Sequence, residues 1–166
     1  MAYRFDADEI VRMAREIEQI GATFYAEALK QTESEAVREV FALLLEEEQA
    51  HSEAFGQLRE ALGEGDEEVA MDEEHAEYVR DLFMSRVFPD PDAVREYFSE
   101  LRDEASAIRL ALRFERDTVL LFHEMKHAVT DKAQALLDEM INEERQHVRR
   151  LNELFRDRVV RKAMER

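Results

Sequence analysis

The sequence predicts an all-α protein built from two helical hairpins, and three observations carry that reading. The 166 residues include only four glycines and two prolines, and neither type occurs after Pro91. The strong helix formers Ala, Leu, Glu, Arg and Met dominate throughout. Four segments place apolar residues at alternating three- and four-residue spacings, the period of an amphipathic helix, and none shows the sustained alternation of a strand.

The first helix is expected over about 6–31, with Asp6 or Asp8 as its cap and Val11, Ala14, Gly21, Tyr25 and Ala28 along one stripe. Thr32 and Ser34 make a short turn and cap the second helix, about 35–62, whose stripe reads Phe41, Leu44, Glu48, His51, Phe55, Leu58, Leu62 before Gly63 and Gly65 stop it. So short a connection between two long helices forces them into an antiparallel hairpin. A crossover follows over about 63–102. It holds an acidic run, a short helix at about 73–87, and Phe88-Pro89-Asp90-Pro91, in which Asp90 caps and Pro91 takes a first helical position. The third long helix, about 103–129, carries Ile108, Ala111, Glu115, Thr118, Phe122 and Met125. Thr130 then caps the fourth, about 131–164, with Leu137, Met140, Glu144, His147, Leu151 and Leu154.

The two halves read as one unit written twice. Glu18 precedes Glu48 much as Glu115 precedes Glu144, and the caps Asp6/Asp103 and Ser34/Thr130 fall at matching offsets. Two αα-hairpins (about 6–62 and 103–164) joined by a long crossover containing a short helix make a four-helix bundle of ferritin-like connectivity, with residues 1–166 forming one domain.

Composition bounds the chemistry. At this length a chain buries roughly 70% of its unfolded surface. With 45% hydrophobic and 38% charged residues it is too apolar for disorder, and no apolar run approaches the roughly 20 residues of a membrane span. The absence of cysteine excludes disulfides, zinc–thiolate sites, iron–sulfur clusters and thiol nucleophiles. The N-terminus MAYRFDADEI resembles neither a secretory signal nor a transit peptide, so a cytoplasmic location is expected. A formal charge of −17 repels phosphate backbones and anionic membrane surfaces, so neither nucleic acid nor membrane is an expected partner.

Six polar residues interrupt the apolar stripes. Glu48-x-x-His51 and Glu144-x-x-His147 each put a carboxylate and an imidazole one turn apart on one helix face, and Glu18 and Glu115 fall on the stripes of the other two helices. Four buried carboxylates in one layer repel each other by several kcal/mol unless something neutralises them. Two divalent ions would do so, with both histidines as neutral ligands. Oxygen-rich ligation with one imidazole per ion suits iron, with manganese or zinc as possible substitutes. Glu46, Glu47 and Glu143 are rotated off the stripes and are expected in solvent, although Glu143 competes with Glu144 for the ligand position.

The segments IEQIGATFYAEA, LEEEQAHSEAF, LRFERDTVLLFHEM and INEERQHVRRL, one from each long helix, resemble the ferritin-like di-iron domain of rubrerythrins. The resemblance implies that Glu18, Glu48, His51, Glu115, Glu144 and His147 bind two Fe ions. It implies reduction of hydrogen peroxide, or of dioxygen, in protection from oxidative stress, and a homodimer. It implies too an external redox donor protein, since the cysteines of a rubredoxin domain are lacking. The extra carboxylate that rubrerythrins carry one turn from the third-helix ligand is lacking as well: Leu112 and Thr118 occupy those positions. The six-residue set is shared with bacterioferritins and quinone-biosynthesis hydroxylases, so a ferroxidase of iron storage and a metal-binding or sensory module without turnover stand as alternatives.

Lesser expectations attach to other residues. Tyr25, two turns after Glu18, is a candidate catalytic residue that brings a hydroxyl near the metals, whereas Phe122 holds the equivalent place after Glu115 without one. Gly21 either leaves room for a small oxidant or permits close packing. His123 and His127 are expected at the surface, His75 has no partner that the sequence identifies, and the acidic run 64–77 is expected in solvent, with an entry path attracting ferrous iron as the alternative. The basic tail 149–166 needs no further reason than its place at a helix C-terminus.

Overall fold

In the computed structural model, residues 7–62, 72–86, 88, 90–100, 103–129 and 131–157 are described. Among these residues six α-helices form: α1 Ala7–Gln31, α2 Glu35–Leu62, α3 Glu73–Met84, α4 Pro91–Glu100, α5 Glu104–Met125 and α6 Asp131–Phe155. No strand occurs among the described residues. The long helices pair as hairpins α1–α2 and α5–α6, which pack together through α1 against α5 and α2 against α6. The expected caps Asp6 and Thr130, the stops Gly63 and Gly65, the acidic residues at 64–68 and the end of the fourth helix beyond 157 lie outside the described residues.

The stripes account for the packing. The stripe residues from Val11 to Leu58 in the first hairpin and from Ile108 to Leu154 in the second are buried. The centre of the core is aromatic: Phe24 contacts the rings of Tyr25, Phe88, Phe98 and Phe114, and Phe55 packs edge-on against Phe122. Each fully buried phenylalanine contributes about 1.5–3 kcal/mol relative to exposure.

Local chemistry sets the element ends. Asp103 caps α5 by accepting from Ser106 N–H at 2.7 Å, and Asp72 caps α3 through His75 N–H at 3.0 Å. Asp90 accepts from both Asp92 and Ala93 N–H, so Pro91 opens α4 as the sequence predicts. Ser34 differs from expectation. Its carbonyl, not its side chain, starts α2 by accepting from Val37 and Arg38 N–H, and its hydroxyl makes no hydrogen bond. Thr32 closes the preceding helix with a bond to Ala28 O, while the Arg38 guanidinium donates to Leu29 O and Thr32 O.

Besides the short helix expected at about 73–87, the crossover carries α4, the helix that Asp90 and Pro91 open. Helix α3 stops at Met84, short of the predicted 87, because Ser85 leaves helical geometry while its N–H bonds Asp81 O. Helix α4 lies on α1, burying Val94 and Phe98, and Gln31 donates to Phe98 O at 2.7 Å. Helix α3 lies on the end of α5, where His75 gains a partner in Glu124 at 3.3 Å. Helix α5 tightens into a 3-10 turn at Lys126–Ala128 instead of running to 129. Among the described residues no helix is long and apolar enough to cross a membrane.

Candidate metal centre

Each of the four long helices delivers one acidic side chain to the middle of the bundle, and α2 and α6 add a histidine one turn later. Glu18, Glu48, His51, Glu115, Glu144 and His147 are all buried, none more than 3% exposed. Their donor atoms form two overlapping groups of four, each within 4.8 Å, besides a group of three made by His51, Glu144 and His147. One comprises Glu18, Glu48, His51 and Glu144, the other Glu48, Glu115, Glu144 and His147. Glu48 and Glu144 belong to both, so two ions placed there would share those carboxylates.

The imidazoles are disposed symmetrically, their planes 9° from parallel and their centroids 5.7 Å apart. His51 Nδ1 lies 3.1 Å from both Glu18 and Glu144, and His147 Nδ1 lies 3.0 Å from Glu144 and 3.3 Å from Glu48. Each ring turns its Nε2 outward to a second carboxylate from the opposite helix: His51 to Glu143 at 2.5 Å, His147 to Glu47 at 3.1 Å. Glu47 is bound in turn by the Arg150 guanidinium. Here the sequence reading needs correction. Glu46 is exposed as expected, but Glu47 and Glu143 are not merely solvated, and Glu143 does not compete with Glu144. Glu143 hydrogen-bonds His51, and Glu47 lies at ion-pair distance from His147, the places outer carboxylates take around metal-bound imidazoles. The signal was present, since both motifs read Glu-Glu-x-x-His, but the pairing crosses between helices and no spacing within one helix reveals it.

The electrostatics of the bare cluster are unfavourable. Burial raises the pKa of Glu18 and of Glu48, the latter reinforced by repulsion from Glu18, Glu144 and Glu115. Burial and the Glu144 charge push Glu115 up to about 8. Burial also acts on Glu144, but contacts with Glu115, His147 and His51 outweigh it and hold this carboxyl below its ordinary range. Burial opposes charging of His51, yet Glu144 and Glu18 overcome it and raise its pKa to about 12; carboxylates raise His147 in the same way.

Hydrogen bonding does not satisfy this cluster. Glu18 Oε1, Glu48 Oε1, Glu115 Oε2, both oxygens of Glu144 and both nitrogens of His147 are buried without a hydrogen bond of acceptable geometry. An orphaned buried polar atom costs roughly 1–3 kcal/mol, and more when charged, so seven in one layer call for a counter-charge. A pair of divalent cations meets that need, cancelling four carboxylates and taking the histidines as neutral donors. The residues present therefore fit a dinuclear metal group.

The remaining expectations resolve around this layer. The Tyr25 hydroxyl donates to Glu115 Oε1, reaching from α1 to α5, and burial followed by the Glu115 and Glu48 charges raises its pKa well above the ordinary phenol. Gly21 is explained by close approach, not by room for an oxidant. A Cβ there would fall onto Glu48 Oε2, 2.9 Å from Glu48 Cδ and 3.0 Å from Phe114 Cε1. Thr118, at the equivalent place in α5, is buried with its hydroxyl bonded to Phe114 O, and Leu112 is buried too, so neither adds a carboxylate. His127 is exposed; His123 is half-buried and accepts from Arg145. Asp72 caps α3, and the exposed Glu73, Glu74 and Glu77 are solvated as expected.

Neither family models nor curated proteins give a match to this chain. A solved structure does: a crystal structure from Thermotoga maritima described as a "putative ferritin-like diiron-carboxylate protein" superposes with a TM-score of 0.73. It is 24% identical, over 94% of this chain and 98% of that one. The fold is therefore the all-α ferritin-like four-helix bundle.

Proposed function

We propose that the protein is a dinuclear iron oxidoreductase of the rubrerythrin-like type, reducing hydrogen peroxide with electrons from an external donor. The observation that carries this reading is the pair of overlapping ligand groups sharing Glu48 and Glu144 in a wholly buried layer. The likeness to a structure described as diiron-carboxylate supports it. When bound, two ferrous ions supply the two electrons that cleavage of one O–O bond requires, without release of a radical.

The chain's own residues do the rest. Glu18 with His51, and Glu115 with His147, would hold one ion each, Glu143 holds the His51 ring by a hydrogen bond, and Glu47 stands beside His147. Phe55 and Phe122, both at most 1% exposed, pack edge-on against each other on the stripes that carry His51 and Glu115. Peroxide needs two protons as well as two electrons to become two waters. The Tyr25 phenol, held protonated by its buried setting, keeps one proton at Glu115 Oε1.

Anaerobic loading followed by rapid mixing tests the reading. The reduced protein should react with peroxide ~10 times faster than with dioxygen, and turn over only with an added donor. Tyr25→Phe should slow the peroxide phase by at least ~10-fold. Faster reaction with dioxygen and accumulation of ferric mineral would instead assign a storage ferroxidase, and two-ion uptake inert to both oxidants a sensory module.

A further inference from the structure

The outer seam of the α5–α6 hairpin holds an open groove of about 300 Å³ lined by Arg116, Val119, Arg145, Val148 and Arg149. Three arginines thus line one groove in a molecule of net charge −17. Among the described residues, none of the three has a carboxylate partner. Arg145 is held only by neutral acceptors, His123 Nε2 at 3.0 Å and Asn142 Oδ1 at 3.4 Å. Several arginines elsewhere are paired, among them Arg59 with Asp8, Arg95 with Asp92 and Arg150 with Glu47. Three exposed like charges along one groove make a local positive field that favours an anion.

The internal repeat shows that the metal centre does not require this feature. When Glu18 is aligned with Glu115 and Glu48 with Glu144, the counterparts of Arg116, Arg145 and Arg149 are Gln19, Gln49 and Glu53, and those of Val119 and Val148 are Ala22 and Ser52. The first hairpin builds an equivalent half-site with no basic groove behind it. The arginines therefore answer to something outside the centre.

We propose that this groove is a binding site for a small amphipathic organic anion, a carboxylate whose short apolar portion lies on Val119 and Val148 while the arginines hold its head. Guanidinium forks match a carboxylate in two-point geometry. The size of the groove favours a small molecule, because its volume falls at the lower end of the ~300–1,000 Å³ of ligand pockets. A protein partner needs ~800 Å² of surface on each side, and an acidic one would meet the strongly negative remainder of this molecule. The residues following Glu115, Glu144 and His147 in the chain line the groove, so an occupant rests against the outer wall of the same two helices.

Calorimetric titration of the full chain with octanoate is the test. One octanoate should bind per chain with a dissociation constant at or below ~1 mM, and acetate, inorganic phosphate and neutral octanol should each bind at least ~10-fold more weakly. Arg145→Gln/Arg149→Gln, at exposed positions, should weaken octanoate at least ~10-fold, and Arg116→Gln alone should weaken it to a lesser degree. Equal binding of octanol, or octanoate binding unchanged in the arginine variants, would overturn the proposal by showing nonspecific apolar uptake. Phosphate binding as tightly as octanoate would overturn its amphipathic part and assign a bare anion site.

Discussion

The two hairpins are alike inside and unlike outside. Each contributes a lone glutamate and a Glu-x-x-His, and each histidine takes an outer carboxylate from the other hairpin. Around that common core the halves diverge. Hairpin α1–α2 gives up a side chain at Gly21 to seat the Glu48 carboxylate, and supplies the Tyr25 hydroxyl to Glu115. Hairpin α5–α6 has Thr118 and Phe122 at those places, and alone carries the arginine groove. It also anchors Glu47 with Arg150, whereas Ala54 stands at the counterpart position behind Glu143. The layer that needs paired charges kept its symmetry, and positions free of that constraint acquired separate roles.

The largest expected effect tests the symmetry of the shared carboxylates. Glu48→Ala and Glu144→Ala should each reduce anaerobic ferrous binding from two ions per chain to at most one, read by titration with metal analysis, with the helices intact by circular dichroism. Two ions retained in both variants would sink the ligand map. A loss confined to one of them would show that a single hairpin carries the bridging role.

Next in size is the pH dependence of the metal-free protein. Glu18, Glu48 and Glu115 have folded pKa values raised above the ordinary 4.5, so the folded state binds more protons than the unfolded one. Their contribution is fully present below 4.5 and is lost as pH rises through the folded values, to about 8 for Glu115. His51 acts in the same direction above 6.5. Glu144, lowered, contributes above 4.5 and loses its contribution only in more acid solution. Thermal melts should therefore show stability falling between pH 4.5 and about 8 without metal, and holding once metal is bound. Glu18→Gln and Glu115→Gln should each flatten the fall, one from either hairpin; a metal-free protein that gains stability across this window would contradict the buried layer.

The smallest effect concerns the outer carboxylates. Glu47→Ala and Glu143→Ala should each weaken one ion by ~10–100-fold in chelator competition. The Glu143 side chain is 49% exposed against 28% for Glu47, and only Glu47 is pinned by an arginine, so Glu47→Ala should cost more. Equal losses would mean that Arg150 adds nothing to the orientation of His147.

The sequence by itself determined the fold class and the six-residue layer. An α-helix has a fixed period, so a polar residue on an apolar stripe is committed to the interior wherever the helix packs, and Glu18, Glu48, His51, Glu115, Glu144 and His147 were legible for that reason. Periodicity names the face on which a residue lies but not the residue opposite. Tertiary packing therefore decided that His51 meets Glu143 and His147 meets Glu47, that Tyr25 reaches Glu115, and that the space at Gly21 belongs to Glu48. It also decided that Arg116, Arg145 and Arg149, unremarkable among the basic residues of two helices, converge on one groove. Such contacts depend on the separation and rotation of helices far apart in the chain, which the packing of the whole core sets.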